Sequence, residues 1–476
     1  MYIFFNRLAI NQMALIQLIF ISALSWSTSS WAQASGDKGI TVDYIDNKHA
    51  INIKQCFDQA PDYIETSDRQ ITKLTQTMRW KGEGINYKRG YAELPEGQAG
   101  CVTYTIQVKN NVSSRRLKQQ HPHSLLLKIS HLLWKTSDSI ERPLPKITIN
   151  HDENTYISAP WQLINRTENK TVYQIKPTPR YSDGYVAFGA LDLQTIMLGD
   201  STLRLAVMHG ANPYNSELIK SWVKAMASSV AQVANSFPLK DIQVLVVLID
   251  GQGGAVPWGQ VNRSGGSGVL FVVNANKSEQ QLFADWTAAH EFSHLLTPYT
   301  PNDRWLSEGF ASYHQNISRL RAGLLDENTA WSKLLSGFER GRKSASKSNA
   351  PTLENSNRRH NMQMYWGGAV VALKADVALQ LATEGGMSLS QALEGLQDCC
   401  LETGKGWTAR QLFLELDRIS QTNIFTDLYQ KEVKQTPYPE YKSVLSSLGI
   451  KKTRYGKIIF SDDAPMAVIR KRISKG

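Results

Sequence analysis

The 476-residue sequence has little cysteine, no long apolar run after its first stretch, and none of the strings that mark nucleotide or nucleic-acid binding. The four cysteines, Cys56, Cys101, Cys399 and Cys400, lack the spacing of a cysteine-rich zinc module, which leaves them as structural bridges or free thiols. Cys56 with Cys101 is the favoured single bridge, since both fall in one β-rich segment. A bridge between the neighbours Cys399 and Cys400 is strained. No later stretch is apolar for long enough to span a bilayer, so no stable membrane insertion is expected of the mature protein. The glycine-rich segment Gly251 to Gly268 lacks the Lys-Ser/Thr ending of a phosphate-binding loop and opens no helix, so it reads as a mobile loop. There is no internal repeat or low-complexity tract. The formal net charge of +11 is spread along the whole sequence, and the densest basic run, Arg470-Lys471-Arg472, reads as a solvated tail. No nucleic-acid partner is expected.

What the sequence does have begins at its N-terminus. Arg7 precedes an apolar run from Met13 to Leu24, followed by serine-rich residues and the small-x-small string Ala32-Gln33-Ala34. This is the pattern of a secretory signal peptide over residues 1–34, cleaved near Ala34, and it implies a periplasmic or secreted protein.

The length argues for two or three domains. Residues 35–195 read as a β-rich domain. Val102 to Val108, Lys146 to Ile149 and Thr171 to Ile175 alternate as half-buried strands do, and turn residues separate them. The pattern changes near residue 196. A strand, a helix from about 216 to 236, and two apolar strands at 244–249 and 269–273 precede a stretch that is almost wholly helical. Residues 196–436 form the expected catalytic domain. The remaining 437–476 read as a short helix and then a strand or two. The expected fold class is α+β, an antiparallel β domain followed by a mostly helical domain.

The string His290-Glu291-Phe292-Ser293-His294 carries the chemistry. Two imidazoles four residues apart share one helix face and can both reach a Zn²⁺ ion at about 2.0–2.1 Å, with the intervening glutamate placed to accept a proton from the attacking water. Leu282, Trp286, Ala289, Phe292 and Leu296 recur at helical spacing beside them. A catalytic zinc keeps an open position and takes three protein ligands. In the following segment, Trp305 to Tyr313, Glu308 shares a helical face with Ala311, Ser312 and Gln315, whereas His314 points elsewhere. Glu308 is therefore the third ligand expected, and His314 belongs to packing or surface.

HEFSH followed by WLSEGFASY resembles the gluzincin clan of zinc metallopeptidases, in particular the alanyl aminopeptidase branch and the glycyl aminopeptidases, which carry a β domain ahead of the catalytic one. The metzincin pattern, with a Gly and a third His soon after the first pair, is absent from Leu295 to Pro301. The resemblance covers residues about 286–313 by motif and implies a thermolysin-like catalytic domain. A later string, Met364-Tyr365-Trp366-Gly367-Gly368-Ala369, resembles the clan's Tyr-x-Lys-Gly string and implies Tyr365 as the oxyanion donor.

Three departures stand out. Only the residues Leu295 to Ser307 separate His294 from Glu308, a shorter gap than in the alanyl aminopeptidases. The glutamate that grips a substrate α-amine in those enzymes, in a Gly-x-Met-Glu-Asn string, has no counterpart in Ser264 to Gly268, where Gly266 and Gly268 stand as candidate substrate-binding positions. The residues after Pro437 are too few for the PDZ domain of the glycyl aminopeptidases. The expected function is an exported peptidase using one Zn²⁺ on a peptide or protein substrate, with aminopeptidase and endopeptidase action both open. The alternatives are a catalytically inactive exported binding or scaffold protein with a peptidase fold, and a zinc hydrolase of a non-peptide substrate.

Overall fold

A computed structural model describes residues 39–476 except 46–49, 67, 109–120, 122, 137–145, 177–182, 211, 264 and 402–405. The expected signal peptide lies outside the described residues. Among the described residues no helix is long and apolar enough to cross a membrane.

In the strand Gly100–Gln107, Val102, Tyr104 and Ile106 are buried while the residues between them are half-exposed, the period that places one face on a core. It sits in an eight-stranded sheet, paired antiparallel on one side with Ala50–Phe57 and on the other with Thr75–Trp80. Cys56 lies directly across from Cys101 and is disulfide-bonded to it. The sheet is antiparallel except where Gly39–Ile45 runs parallel to Lys146–Asn150. Its inward side chains form a core around Trp134, Trp161 and Tyr173.

From Leu191 onward a second sheet of five strands is built. Its order is Leu191–Leu198, Ser201–Met208, Asp241–Ile249, Ser267–Asn274 and Trp258–Arg263. The three inner strands are parallel, and each edge is an antiparallel hairpin partner. Asp241–Ile249 is nearly continuous in apolar residues because both its faces are covered. The last strand, Trp258–Arg263, lies inside the glycine-rich segment that reads as a loop from sequence. It forms the edge of the sheet beside the zinc-motif helix, and the apolar strand expected at 269–273 is internal.

Two long helices, Arg304–Arg321 and Asn361–Ala382, pack together, the first also against the zinc-motif helix. They approach so closely that a Cβ on Gly309 would lie 2.3 Å from the Gly368 Cα, and one on Gly368 would lie 1.9 Å from the Trp305 carbonyl oxygen. Glycine at both positions is what lets the backbones touch, and that contact brings Tyr365 and Glu308 to one place. The fold is thus α+β, a largely antiparallel sheet region followed by a mostly helical one.

The C-terminus departs from its sequence reading in two ways. A two-stranded hairpin, Ile450–Lys452 with Ile458–Phe460, is followed by a helix, Ala467–Lys475, where strand was expected. Arg470 is 2% exposed: it bonds Asp462 and the Leu448 carbonyl and pairs with Glu327. The basic run is therefore partly an internal tie, since a buried guanidinium needs this many acceptors.

Candidate active site

His290 and His294 come from a short helix, Thr287–Ser293, that continues as a 3-10 turn through Leu296. The spacing predicts one longer helix from Leu282, but the structure breaks it at Asp285, whose carboxylate accepts from the backbone amides of Thr287 (2.8 Å) and Val256 (3.3 Å). Leu282 falls on the separate helix Glu279–Ala284. Trp286, read as part of the apolar flank, is 46% exposed and meets the His290 ring edge-on in the cleft.

The following helix, Arg304–Arg321, delivers Glu308. Its Oε2 lies 3.2 Å from His290 Nε2 and 3.5 Å from His294 Nε2, and the three ligand atoms lie within 4.8 Å of one another. The outer nitrogens are also engaged: His290 Nδ1 donates to Gln315 Oε1 at 2.8 Å, and His294 Nδ1 lies 3.0 Å from Ser307 Oγ. Both Nε2 atoms are thereby turned toward one point, which is how outer hydrogen bonds orient metal-binding imidazoles. Burial would hold the Glu308 carboxyl up, but hydrogen bonds and charge from the two imidazoles outweigh it and hold it well below the usual carboxylate range. Burial alone would likewise push His290 down, yet the Glu308 bond and the charges of Glu291 and Glu308 raise it. A metal bound here must displace that proton.

Glu291 stands against the edge strand. Burial pushes its carboxyl up, partly offset by the two histidines. A Cβ on Gly259 would lie 2.6 Å from Glu291 Cγ, so the strand can lie this close only because residue 259 is glycine. Arg263, at the end of the same strand, donates to the carbonyls of Thr297 and His294 and ties the strand to the end of the zinc-motif helix. Tyr365, on the helix Asn361–Ala382, has its ring parallel to that of His290 at a centroid distance of 5.7 Å. Burial, then Glu308, holds its phenol above the ordinary range. Tyr365 and Glu291 share with the three candidate ligands a cleft of about 1260 Å³.

No protein-family model and no curated protein sequence matches this protein. Among solved structures, an aminopeptidase N family protein from Idiomarina loihiensis is similar with a TM-score of 0.67 at 14% identity, over 90% of this chain and 82% of that one. An M1 zinc metallopeptidase from Deinococcus radiodurans, a mutant bound to a Tyr-Ser-Ala substrate, gives 0.50 at 13% identity, over 85% and 94%. Yeast LTA4 hydrolase gives 0.50 at 13% identity, over 86% and 69%. The fold is that of the gluzincin aminopeptidases.

Within that gluzincin fold, His290, Glu291, His294, Glu308 and Tyr365 are brought together. His314 is buried, donates to the Phe310 carbonyl at 2.9 Å and takes no part. Gly266 and Gly268 are corrected: they pack against Pro160, and Gly268 also against Gln243, and neither lines the cleft. A Cβ at Gly266 would fall 1.9 Å from the Pro160 carbonyl oxygen, so its glycine serves packing between the β region and the sheet. The strand beside the site is instead Trp258–Arg263. Its residues Gly259-Gln260-Val261-Asn262-Arg263 line the cleft, and Asn262 accepts from Gln260 Nε2 at 3.0 Å. Sequence reasoning missed Gln315 and Ser307 as orienting groups. The signal was available, since Gln315 shares a helical face with Glu308 and Ser307 directly precedes it.

The donor set fits zinc. Two imidazole nitrogens and one carboxylate oxygen converge, backed by hydrogen bonds and opening on a cleft, which is the ligand number of a catalytic rather than a structural site.

Proposed function

We propose that the protein is an exported, zinc-dependent peptidase, with residues 1–34 as a removed signal peptide, 35–195 as a β-rich domain, 196–436 as the catalytic domain and 437–476 as a closing extension. The observation that carries the reading is the convergence of His290 Nε2, His294 Nε2 and Glu308 Oε2 within 4.8 Å while the outer nitrogens of both rings are held by other side chains. His290, His294 and Glu308 would hold one Zn²⁺. That ion supplies Lewis acidity that lowers the pKa of water and polarises a carbonyl.

The protein's own residues do the rest. Glu291, whose carboxyl burial pushes up, takes a proton from the attacking water and delivers it to the departing amine. Tyr365, whose phenol burial keeps protonated, donates to the carbonyl oxygen as negative charge develops there. The outer edge of Trp258–Arg263, which among the described residues pairs only with Ser267–Asn274, offers backbone groups that can align an extended peptide as an added strand. The Deinococcus enzyme in the comparison holds a tripeptide, which supports a peptide substrate here.

The test compares wild type with Glu291→Gln for zinc content and for cleavage of a mixed peptide library, with and without chelator. Glu291→Gln should keep its zinc and lose cleavage by about 10²–10⁴-fold, the range of a general base. Equal cleavage by both proteins removes the mechanism.

A further inference from the structure

Arg304 is a charge at the candidate site that the mechanism above does not use. It opens the helix Arg304–Arg321, one turn ahead of Glu308, and its Nη2 donates to Glu308 Oε1 at 3.0 Å. Both imidazole Nε2 atoms face the other oxygen, Oε2. The two oxygens of this carboxylate are therefore divided, one toward the ligand cluster and one toward a guanidinium.

A solvent-exposed pair at this helical spacing would be a minor helix contact. This pair is not exposed: the Glu308 side chain is 13% accessible and that of Arg304 33%. Arg304 also lines the cleft, and its Nε is buried without a hydrogen-bond partner. A guanidinium has five donors in a rigid fork suited to a carboxylate, and Glu308 occupies only part of it.

The charge balance points the same way. With a divalent ion in place, the single negative charge of Glu308 is shared between the ion and Arg304 and cannot neutralise both. The groups behind the two histidines, Gln315 and Ser307, are neutral and do not compensate. On the helical wall of the cleft Arg358 adds a second cation, and Asp285 is engaged with the Thr287 and Val256 amides. Asp68, Asp183 and Lys128 belong to the opposite, β-region wall.

We infer that Arg304 makes the helical wall of the cleft a carboxylate subsite, so that the substrate class is peptides bearing a carboxylate next to the scissile bond. Arg304 is then a specificity-determining residue, held in place by Glu308. The inference rests on the peptidase reading. The carboxylate has two sources, an Asp or Glu side chain and the free C-terminal acid of the peptide, and the experiment separates them.

Peptide pairs differing only in Glu against Gln beside the cleaved bond, and pairs differing only in a C-terminal acid against an amide, are compared in two assays. Cleavage is measured with the wild type. Binding is measured by calorimetry with Glu291→Gln, both zinc-loaded and metal-free. The acid member of at least one pair should bind and react about tenfold better, the scale of one charge-assisted hydrogen bond. That preference should persist in the metal-free protein and fall to near unity in Arg304→Gln at unchanged zinc content. The pair that shows it identifies the source. Equal handling of acid and amide forms by wild type overturns the inference and leaves the peptidase reading standing, and this arm needs no folded variant at position 304. A preference that vanishes with the metal, or survives in Arg304→Gln, assigns the carboxylate to the ion or to another residue and also overturns it. Failure to bind or cleave any peptide overturns both readings together.

Discussion

The β region and the helical region of this protein are stabilised by different means. In the β region, strands such as Gly100–Gln107, Lys146–Asn150 and Lys170–Gln174 bury alternate residues, and a covalent cross-strand bridge, Cys56 to Cys101, ties neighbouring strands. Such a sheet tolerates local variation because each strand contributes a repeated, similar contact. In the helical region the decisive contact is singular. Two helix backbones meet at Gly309 and Gly368, and the positions of Glu308 and Tyr365 follow from that one crossing. The first arrangement spreads its energy over many pairs, whereas the second concentrates geometry at one point, where the chemistry is. Stability and function should therefore respond to different substitutions.

Four experiments can break or sharpen that contrast. The largest expected effect is on the β side. Replacing Cys56 and Cys101 together by serine opens a loop with a sequence separation of 45 and should cost about 4 kcal/mol by the loop-entropy account of disulfides. Denaturant unfolding would measure it, and zinc content at native conditions should not change. A loss of zinc alongside it would mean that the two regions are not separable in this sense.

Next comes Gly368→Ala. A methyl group there meets the Trp305 carbonyl, so the helices must part, at a cost of about 1–3 kcal/mol for overpacking. Activity should fall beyond what the stability loss explains, because Tyr365 moves away from the histidines. Unchanged kcat would show that the crossing does not set the geometry.

Third, Gln315→Ala removes the acceptor behind His290 and should weaken zinc binding by about 10–100-fold with little effect on melting of the metal-free protein. A chelator competition would detect it.

At neutral pH the smallest effect is at His314, which acts only in acid. Burial pushes this ring down to about 3, against an ordinary value of 6.5. At pH above 6.5 it is neutral folded and unfolded, and contributes nothing to pH dependence. Below 6.5 the unfolded state takes up a proton that the folded one refuses, so stability falls by about 1.4 kcal/mol per pH unit until about pH 3. His314→Leu should flatten that part of the acid-stability curve, and an unaltered curve would assign the slope to other groups.

Much of the site was legible from spacing. His290 and His294 share a face because four residues make about one turn, and Glu308 was preferred over His314 because the two point apart on the same helix. The Trp258–Arg263 strand was not legible: its residues alternate only weakly, and glycines on both sides read as loop. Its strand character comes from pairing with Ser267–Asn274, a tertiary fact. Trp286 and Arg470 misled for related reasons. A helix break at Asp285 put an apolar ring in the cleft, and acceptors distant in sequence drew a basic residue inside.

Local periodicity alone determined which segments alternate, which helix face carries the imidazoles and which acid can join them, because these depend only on residues a few positions apart. Tertiary structure decided which strand lies at the sheet edge beside Glu291, which side chains sit behind each histidine, and that Arg304 shares Glu308 with the ligand cluster. Those outcomes depend on how closely distant backbones approach, and side-chain volume at glycines such as 259, 309 and 368 controls that approach only once the partner segment is in place.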